Sequence, residues 1–229
     1  MSTIADNVAK LRARVAEAAR RAGVEPETIR LVAVTKTIPV EAIREAVAAG
    51  ITAVGENRVQ EAEAKLPEIG RTVEWHLVGH LQTNKAAKAV HLFDVIHSID
   101  SMKVARAVSR HVQEVGRDLG LLVQVNTSGE ESKFGVPPQE APGLVEEMCS
   151  LPGIRIRGLM TIGPFRPDPQ EARPSFHRLR KLAEKIGSLG FPGVEMTWLS
   201  MGMTGDFEVA IEEGANLIRV GTAIFGPRG

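Results

Sequence analysis

At 229 residues and 43% hydrophobic content the chain is long enough to bury one substantial core, and 28 Lys+Arg against 28 Asp+Glu leave no net charge. That balance gives no electrostatic reason to expect nucleic acid or an anionic membrane surface as partner, and no apolar run approaches the roughly 18 residues of a membrane span. The single cysteine, Cys149, excludes an intramolecular disulfide and a cysteine-based zinc site, there is no tyrosine, and the N-terminus lacks the apolar segment of a secretory signal, so a cytoplasmic protein is expected.

Residues 3–21 carry Ile4, Val8, Leu11, Val15 and Ala18 at helical spacing, with Gly23 as the stop, and predict an N-terminal helix. Apolar, β-branched runs then alternate with helical patterns. The runs predict strands over 30–35, 53–56, 74–78, 95–98, 121–126, 156–161, 195–199 and 217–220. Helices are expected over 39–49, 57–66, 83–90, 101–116, 137–149, 169–188 and 205–213. Short, mostly apolar strands, each followed by a helix, suit a parallel sheet buried on both faces. Eight in strict alternation predict an α/β protein with a single (β/α)8 TIM barrel spanning residues 1–229 as one domain, plus the extra N-terminal helix. A doubly wound sheet shares this periodicity, but the strand count favours the barrel. The irregular stretch 163–169 reads as a loop at the barrel mouth. The chemistry of such a barrel lies at the C-terminal ends of its strands. Lys36, Glu56, Asn57, Gly79, His80, Ser128, Met160, Thr161, Ser200, Arg219 and Gly221 all stand at or just past strand ends, and are expected to converge on one mouth.

Lys36 ends the run Leu31-Val32-Ala33-Val34-Thr35. An amine held in an apolar mouth sheds its proton more readily and attacks a carbonyl; a solvated strand-end lysine is the bland alternative. Ser200-Met201-Gly202-Met203-Thr204-Gly205-Asp206 joins a strand to a helix with N–H groups and hydroxyls able to hold a phosphate, or merely to cap that helix. Arg219-Val220-Gly221-Thr222 adds a second small-residue turn and a cation, and the last two loops of such barrels recurrently bind phosphate. A lysine at one strand end and hydroxyl-rich glycine loops at two others point to a phosphorylated aldehyde, pyridoxal 5′-phosphate (PLP). Asn57 is placed to contact a bound ring or to cap the next helix. His76 and His80 lie four apart on one strand face, but a metal needs a third ligand and none is evident, so no metal site is expected. His80 is expected to line the mouth and His76 to be a satisfied interior residue. Lys133 reads as a rim cation or an ordinary surface lysine. Glu56, Asp94 and Asp100 lack the pairing of glycosidase carboxylates.

Together these motifs resemble the PLP homeostasis protein family. The matching stretches are residues 33–37, 55–61, 75–85, 158–161, 199–206 and 218–226, in family order across nearly the whole chain, with Leu77 where the family more often has Phe or Met. The resemblance implies a version of the alanine racemase N-terminal barrel, PLP fold type III, with a Schiff base on Lys36. It implies phosphate held around Ser200, Thr204, Gly221 and Thr222, with Asn57, His80, Met160 and Gly202 also lining the cofactor site. Arg219 would face the pyridine nitrogen; an arginine there supplies no proton, which leaves the ring a weaker electron sink than a carboxylate-paired one. Racemisation in the alanine racemase family also uses a tyrosine from a partner's second domain. No tyrosine and no second domain are expected here, so the implied role is holding and releasing PLP in vitamin B6 homeostasis, with no catalytic residue assigned. Apo PLP-dependent enzymes are implied as recipients, and a monomer is expected. The alternatives are a PLP-dependent amino-acid racemase using Lys36 and His80, and a cofactor-free Schiff-base aldolase.

Overall fold

The computed structural model describes residues 3–117, 119–130 and 132–227. Its strands are β1 (Arg30–Val34), β2 (Ala53–Glu56), β3 (Glu74–Leu77), β4 (Val95–Ile99), β5 (Leu119–Gln124), β6 (Ile154–Met160), β7 (Val194–Ser200) and β8 (Leu217–Val220). They pair in parallel in sequence order, and β8 returns to β1 to close the barrel, with Val32 opposite Arg219. Helices α2 (Val40–Ala48), α3 (Val59–Ile69), α4 (Ala86–Leu92), α5 (Met102–Val115), α6 (Ala141–Met148), α7 (Arg173–Ser188) and α8 (Phe207–Glu212) form the connections. The expected α/β barrel is the observed one.

The N-terminal helix α1 (Ile4–Ala22) starts at a capping box, in which Thr3 Oγ1 takes the Asp6 N–H and Asp6 Oδ2 takes the Thr3 N–H. It ends where Gly23 adopts φ 71°. This helix packs on α8, on the single-turn α9 (Thr222–Phe225) and on α2, filling the ring of helices beside β8. Pairs Arg14–Glu208 and Arg21–Glu212 flank the seam.

Boundaries differ from expectation where local chemistry intervenes. Strand β5 stops at Gln124 because Val125 bridges to Val136 in the following loop. The helix expected over 169–188 divides into a tight turn at Pro169–Ala172 and α7. The helix expected over 137–149 shortens to Ala141–Met148.

The core has two layers. Outward-facing strand residues such as Trp75 and Ile96 pack with Leu11, Ile43, Phe176 and Phe207 between barrel and helices. Inside the barrel, Val32, Ala53, Val78, Val95, Leu122, Met160, Trp198 and Leu217 form a smaller apolar layer. Strand alternation makes the inward neighbours of this layer His76, His97, Ser200 and Arg219, all buried. Trp198 lies between the guanidinium groups of Arg30 and Arg157, 4.6 and 4.3 Å from the ring centre. A register shift between β6 and β7 lets the strands approach so closely that a Cβ on Gly158 would lie 1.9 Å from Trp198 O.

Candidate functional site

A cavity of about 320 Å³ opens at the C-terminal ends of β1, β7 and β8, under the 164–169 loop. Lys36 enters it from β1, and the chain around Lys36 is held tightly. Thr35 N donates to Gly55 O at 2.9 Å, Thr35 Oγ1 to Glu56 Oε1 at 2.6 Å, and Thr35 O accepts Lys65 Nζ at 2.7 Å. Thr37 takes φ 61°, a left-handed conformation costly for a β-branched residue, and its N–H is held by Glu61 Oε2 at 2.8 Å. Between these anchors Lys36 is half-buried, and its amine has no hydrogen-bond or ion-pair partner among the described residues.

The opposite wall comes from the loops after β7 and β8. Gly202 has φ 92°, and a Cβ there would lie 2.6 Å from Ala210 Cβ, so the turn requires glycine. Thr204 Oγ1 accepts the Ala223 N–H at 3.4 Å, joining the two loops, and Asp206 Oδ1 accepts the Met203 N–H at 2.6 Å. Thr204, Asp206, Gly221 and Thr222 line the cavity. Arg219 forms its floor, donating from Nη1 to Ser200 Oγ at 2.5 Å and from Nη2 to Thr161 O at 2.7 Å. Burial pushes the Arg219 guanidinium down to about 10, with Asp206 opposing, which leaves it charged at neutral pH. Burial likewise pushes the Asp206 carboxyl up, against the Met203 N–H and Arg219. A free amine facing hydroxyls and a fixed cation suits capture of an anionic carbonyl compound.

A second cleft lies beside the first, past β2 and β3, and includes Asn57, Arg58, Lys65, Gly79, His80 and Lys85. Lys65 Nζ is 2.8 Å from Glu56 Oε1 and 3.5 Å from Glu61 Oε2. His80 stacks on Phe134 with centroids 4.2 Å apart and stands 3.5 Å from Asp100 Oδ2.

The strand-end residues fall into two neighbouring hollows at the C-terminal face of the barrel. Lys36, Thr204, Arg219, Gly221 and Thr222 meet in the first cavity; Asn57 and His80 line the second cleft. Asn57 is not the helix cap either, since that position belongs to Arg58. Met160 is fully buried in the barrel interior, and Gly202 supports the wall from behind. Ser200 is fully buried, its hydroxyl bonded to His97 and Arg219 below the cavity. His76 is the satisfied interior residue expected, between Glu74 and His97. Lys133 ties two loops together, reaching Gly163 O at 2.8 Å and Glu130 Oε1 at 3.0 Å. Among the described residues no cluster of three or more His, Cys, Asp or Glu is placed to hold a metal, and no helix is long and apolar enough to cross a membrane. Sequence reasoning missed His97 and the cavity role of Asp206. The signal for His97 was a His-Ser pair inside the apolar run Val95–Ile99.

The model of the alanine racemase N-terminal domain matches residues 6–229. A pyridoxal phosphate homeostasis protein from Pseudomonas aeruginosa is 44% identical over 233 residues, covering all of this chain and 97% of the relative. One from Escherichia coli K12 is 39% identical over 232 residues, covering 100% and 98%. The structure of PipY from Synechococcus elongatus with PLP bound superposes with TM-score 0.86 at 40% identity, covering 98% of this chain and all of PipY. An alanine racemase from Clostridium difficile shares the fold at TM-score 0.76 and 14% identity, with 57% of its length matched.

Proposed function

The chain belongs to the pyridoxal phosphate homeostasis protein family, within the alanine racemase N-terminal domain family, and on that premise we propose that it binds PLP through Lys36. The observation that carries this reading is the unpartnered Lys36 amine in one cavity with Thr204, Thr222 and Arg219. These residues fit the group. Lys36 would hold the aldehyde end by reversible condensation with loss of one water, the hydroxyls of Thr204 and Thr222 would hold the phosphate, and the Arg219 guanidinium would donate to the ring. When bound, PLP would supply a reversible carbonyl anchor and an electron sink that arginine leaves weak.

We infer a carrier or buffer of PLP acting as a single cytoplasmic domain, in place of a racemase. Racemisation needs a second acid–base group beside Lys36. His80, the candidate from the sequence, lines the other cleft against Phe134 and Asp100, which supports the binding role. The open mouth would let PLP pass to an apo-enzyme.

The test is an absorbance spectrum of purified protein before and after borohydride, with peptide mass spectrometry on wild type and Lys36→Ala. A Schiff-base band that borohydride fixes on the Lys36 peptide, absent from the variant, is the expected result. A colourless protein that takes up no added PLP would sink the reading. Proton exchange at the α-carbon of amino acids above the rate of free PLP would favour the racemase.

A further inference from the structure

A file of hydrogen bonds crosses the barrel interior beneath the cavity. Glu74, at the N-terminal end of β3, has Oε2 3.0 Å from Arg30 Nη2 and 3.0 Å from His76 Nε2. His76 Nδ1 is 2.8 Å from His97 Nε2, and His97 Nδ1 is 2.9 Å from Ser200 Oγ. Ser200 Oγ then accepts from Arg219 Nη1. His76, His97 and Ser200 are completely shielded from solvent. Four strands, β3, β4, β7 and β8, thus contribute to one path from the base of the barrel to the floor of the cavity.

The two ends settle its direction. A carboxylate only accepts and a guanidinium only donates, while a neutral imidazole carries one N–H. The contact between the two rings requires a proton on one of the facing nitrogens and none on the other. Starting from Glu74, the His76 proton belongs on Nε2, which leaves Nδ1 to accept. His97 must then donate from Nε2 and accept at Nδ1, where the Ser200 hydroxyl is the one donor among the described residues. Starting from Arg219 gives the same answer, because Ser200 accepts the guanidinium proton and has its own left for His97. The opposite polarity would need a second proton on His76. The Glu74 carboxyl is held below its ordinary value, first by the His76 hydrogen bond, as an ionised acceptor should be. Burial above all holds His97 well below the ordinary histidine value, so it stays neutral. The charged groups around the path are Arg30 and Arg157 near Glu74, and Asp206 near Arg219.

We propose that Glu74, His76, His97 and Ser200 form a one-way hydrogen-bond line that fixes the orientation of the Arg219 guanidinium at the cavity floor. Successive hydrogen bonds polarise one another, so an ionised acceptor at one end makes Ser200 a better acceptor at the other. His76 and His97 are positioning residues: they touch no ligand and act through Ser200 and Arg219. Naming PLP as the ligand that Arg219 orients rests on the function proposed above; the line itself is a property of the chain.

The test begins without cofactor. Long-range proton–nitrogen correlation spectra of histidine-labelled protein should show His76 and His97 both protonated at Nε2, and the Arg219 Nη protons should resolve as separate slow-rotating signals. Two variants break the line: His97→Leu in the interior, and Glu74→Ala at the base, where the partly exposed site tolerates truncation should the first fail to fold. Either should average the Arg219 signals, and in PLP-loaded protein raise the PLP dissociation constant about fivefold and shift the absorbance of the bound cofactor. His97 protonated at Nδ1 in wild type would overturn the proposal. So would Glu74→Ala protein with unchanged Arg219 signals and PLP affinity. Wild type that binds no PLP would sink the functional reading, while the histidine and arginine signals still decide the line.

Discussion

Two lysines stand side by side at the barrel mouth with opposite fates. Lys65, in the cleft past β2 and β3, is bonded to Glu56, to Glu61 and to the Thr35 carbonyl. Lys36, in the cavity past β1, has no partner among the described residues. Thr35 belongs to both settings: the clamp that Lys65 places on its carbonyl helps to fix the backbone from which Lys36 projects. The number of cations does not separate the clefts, because each holds three: Lys36, Arg166 and Arg219 in the first, Arg58, Lys65 and Lys85 in the second. What separates them is which groups remain uncommitted. The charge of Lys65 is neutralised by its neighbours, and the Lys36 amine is left without a partner among the described residues.

Exchanging the charged end for a thioether at each lysine puts that contrast to the test. Glu56 is fully buried, and its second oxygen, Oε2, has no hydrogen-bond partner among the described residues. Lys65→Met would strand that carboxylate, and removing one member of a buried pair costs about 3–5 kcal/mol. Lys36→Met should change stability by less than about 0.5 kcal/mol, as a side chain with no committed partner does. Urea unfolding of both variants reads the difference, and equal losses would erase the distinction drawn here. A smaller effect separates the backbones. A Cβ on Gly79 would lie 2.2 Å from Asn57 O, whereas one on Gly205 would meet nothing within 4 Å. Gly79→Ala should therefore cost about 1–3 kcal/mol through backbone displacement, and Gly205→Ala less than about 0.5 kcal/mol. Thermal unfolding of the pair checks this.

The barrel was legible because each strand is a short apolar run between helical patterns, and strict alternation leaves few topologies. Lys36, Arg219 and Gly221 were legible as strand-end residues, and Thr204 and Thr222 as hydroxyls of the small-residue loops after the last two strands, since those positions place them on the C-terminal face of the barrel. How strand ends divide into cavities was not. Asn57 and Lys36 follow neighbouring strands, yet they line different hollows of that face. Ser200 shows a second limit. The sequence places it at a strand end, but whether a hydroxyl faces a ligand or the interior depends on His97, which lies 103 residues away. Local pattern identifies which residues are available, and long-range partners decide which of them are occupied.

Asp206 gives the finest version of the contrast, because it is a committed group inside the uncommitted cavity. Its carboxyl accepts the Met203 N–H and faces Arg219, yet burial outweighs both and pushes its pKa up. Below the ordinary value of 3.8 the group is protonated in folded and unfolded chains alike, and its contribution to stability is fully present. As pH rises through the raised folded value, the carboxylate must ionise in a desolvated site and that contribution is lost. Asp206→Asn keeps an oxygen for the Met203 N–H without the charge. The variant should be the more stable protein at pH 7, by up to about 1 kcal/mol, and the two should converge as pH falls towards 3.8. Removing a negative charge beside Thr204 should also tighten inorganic phosphate binding a few-fold. A variant less stable than wild type at pH 7 would mean that the attraction between Asp206 and Arg219 exceeds the cost of burial, and Asp206 would then belong with Lys65 as part of the framework.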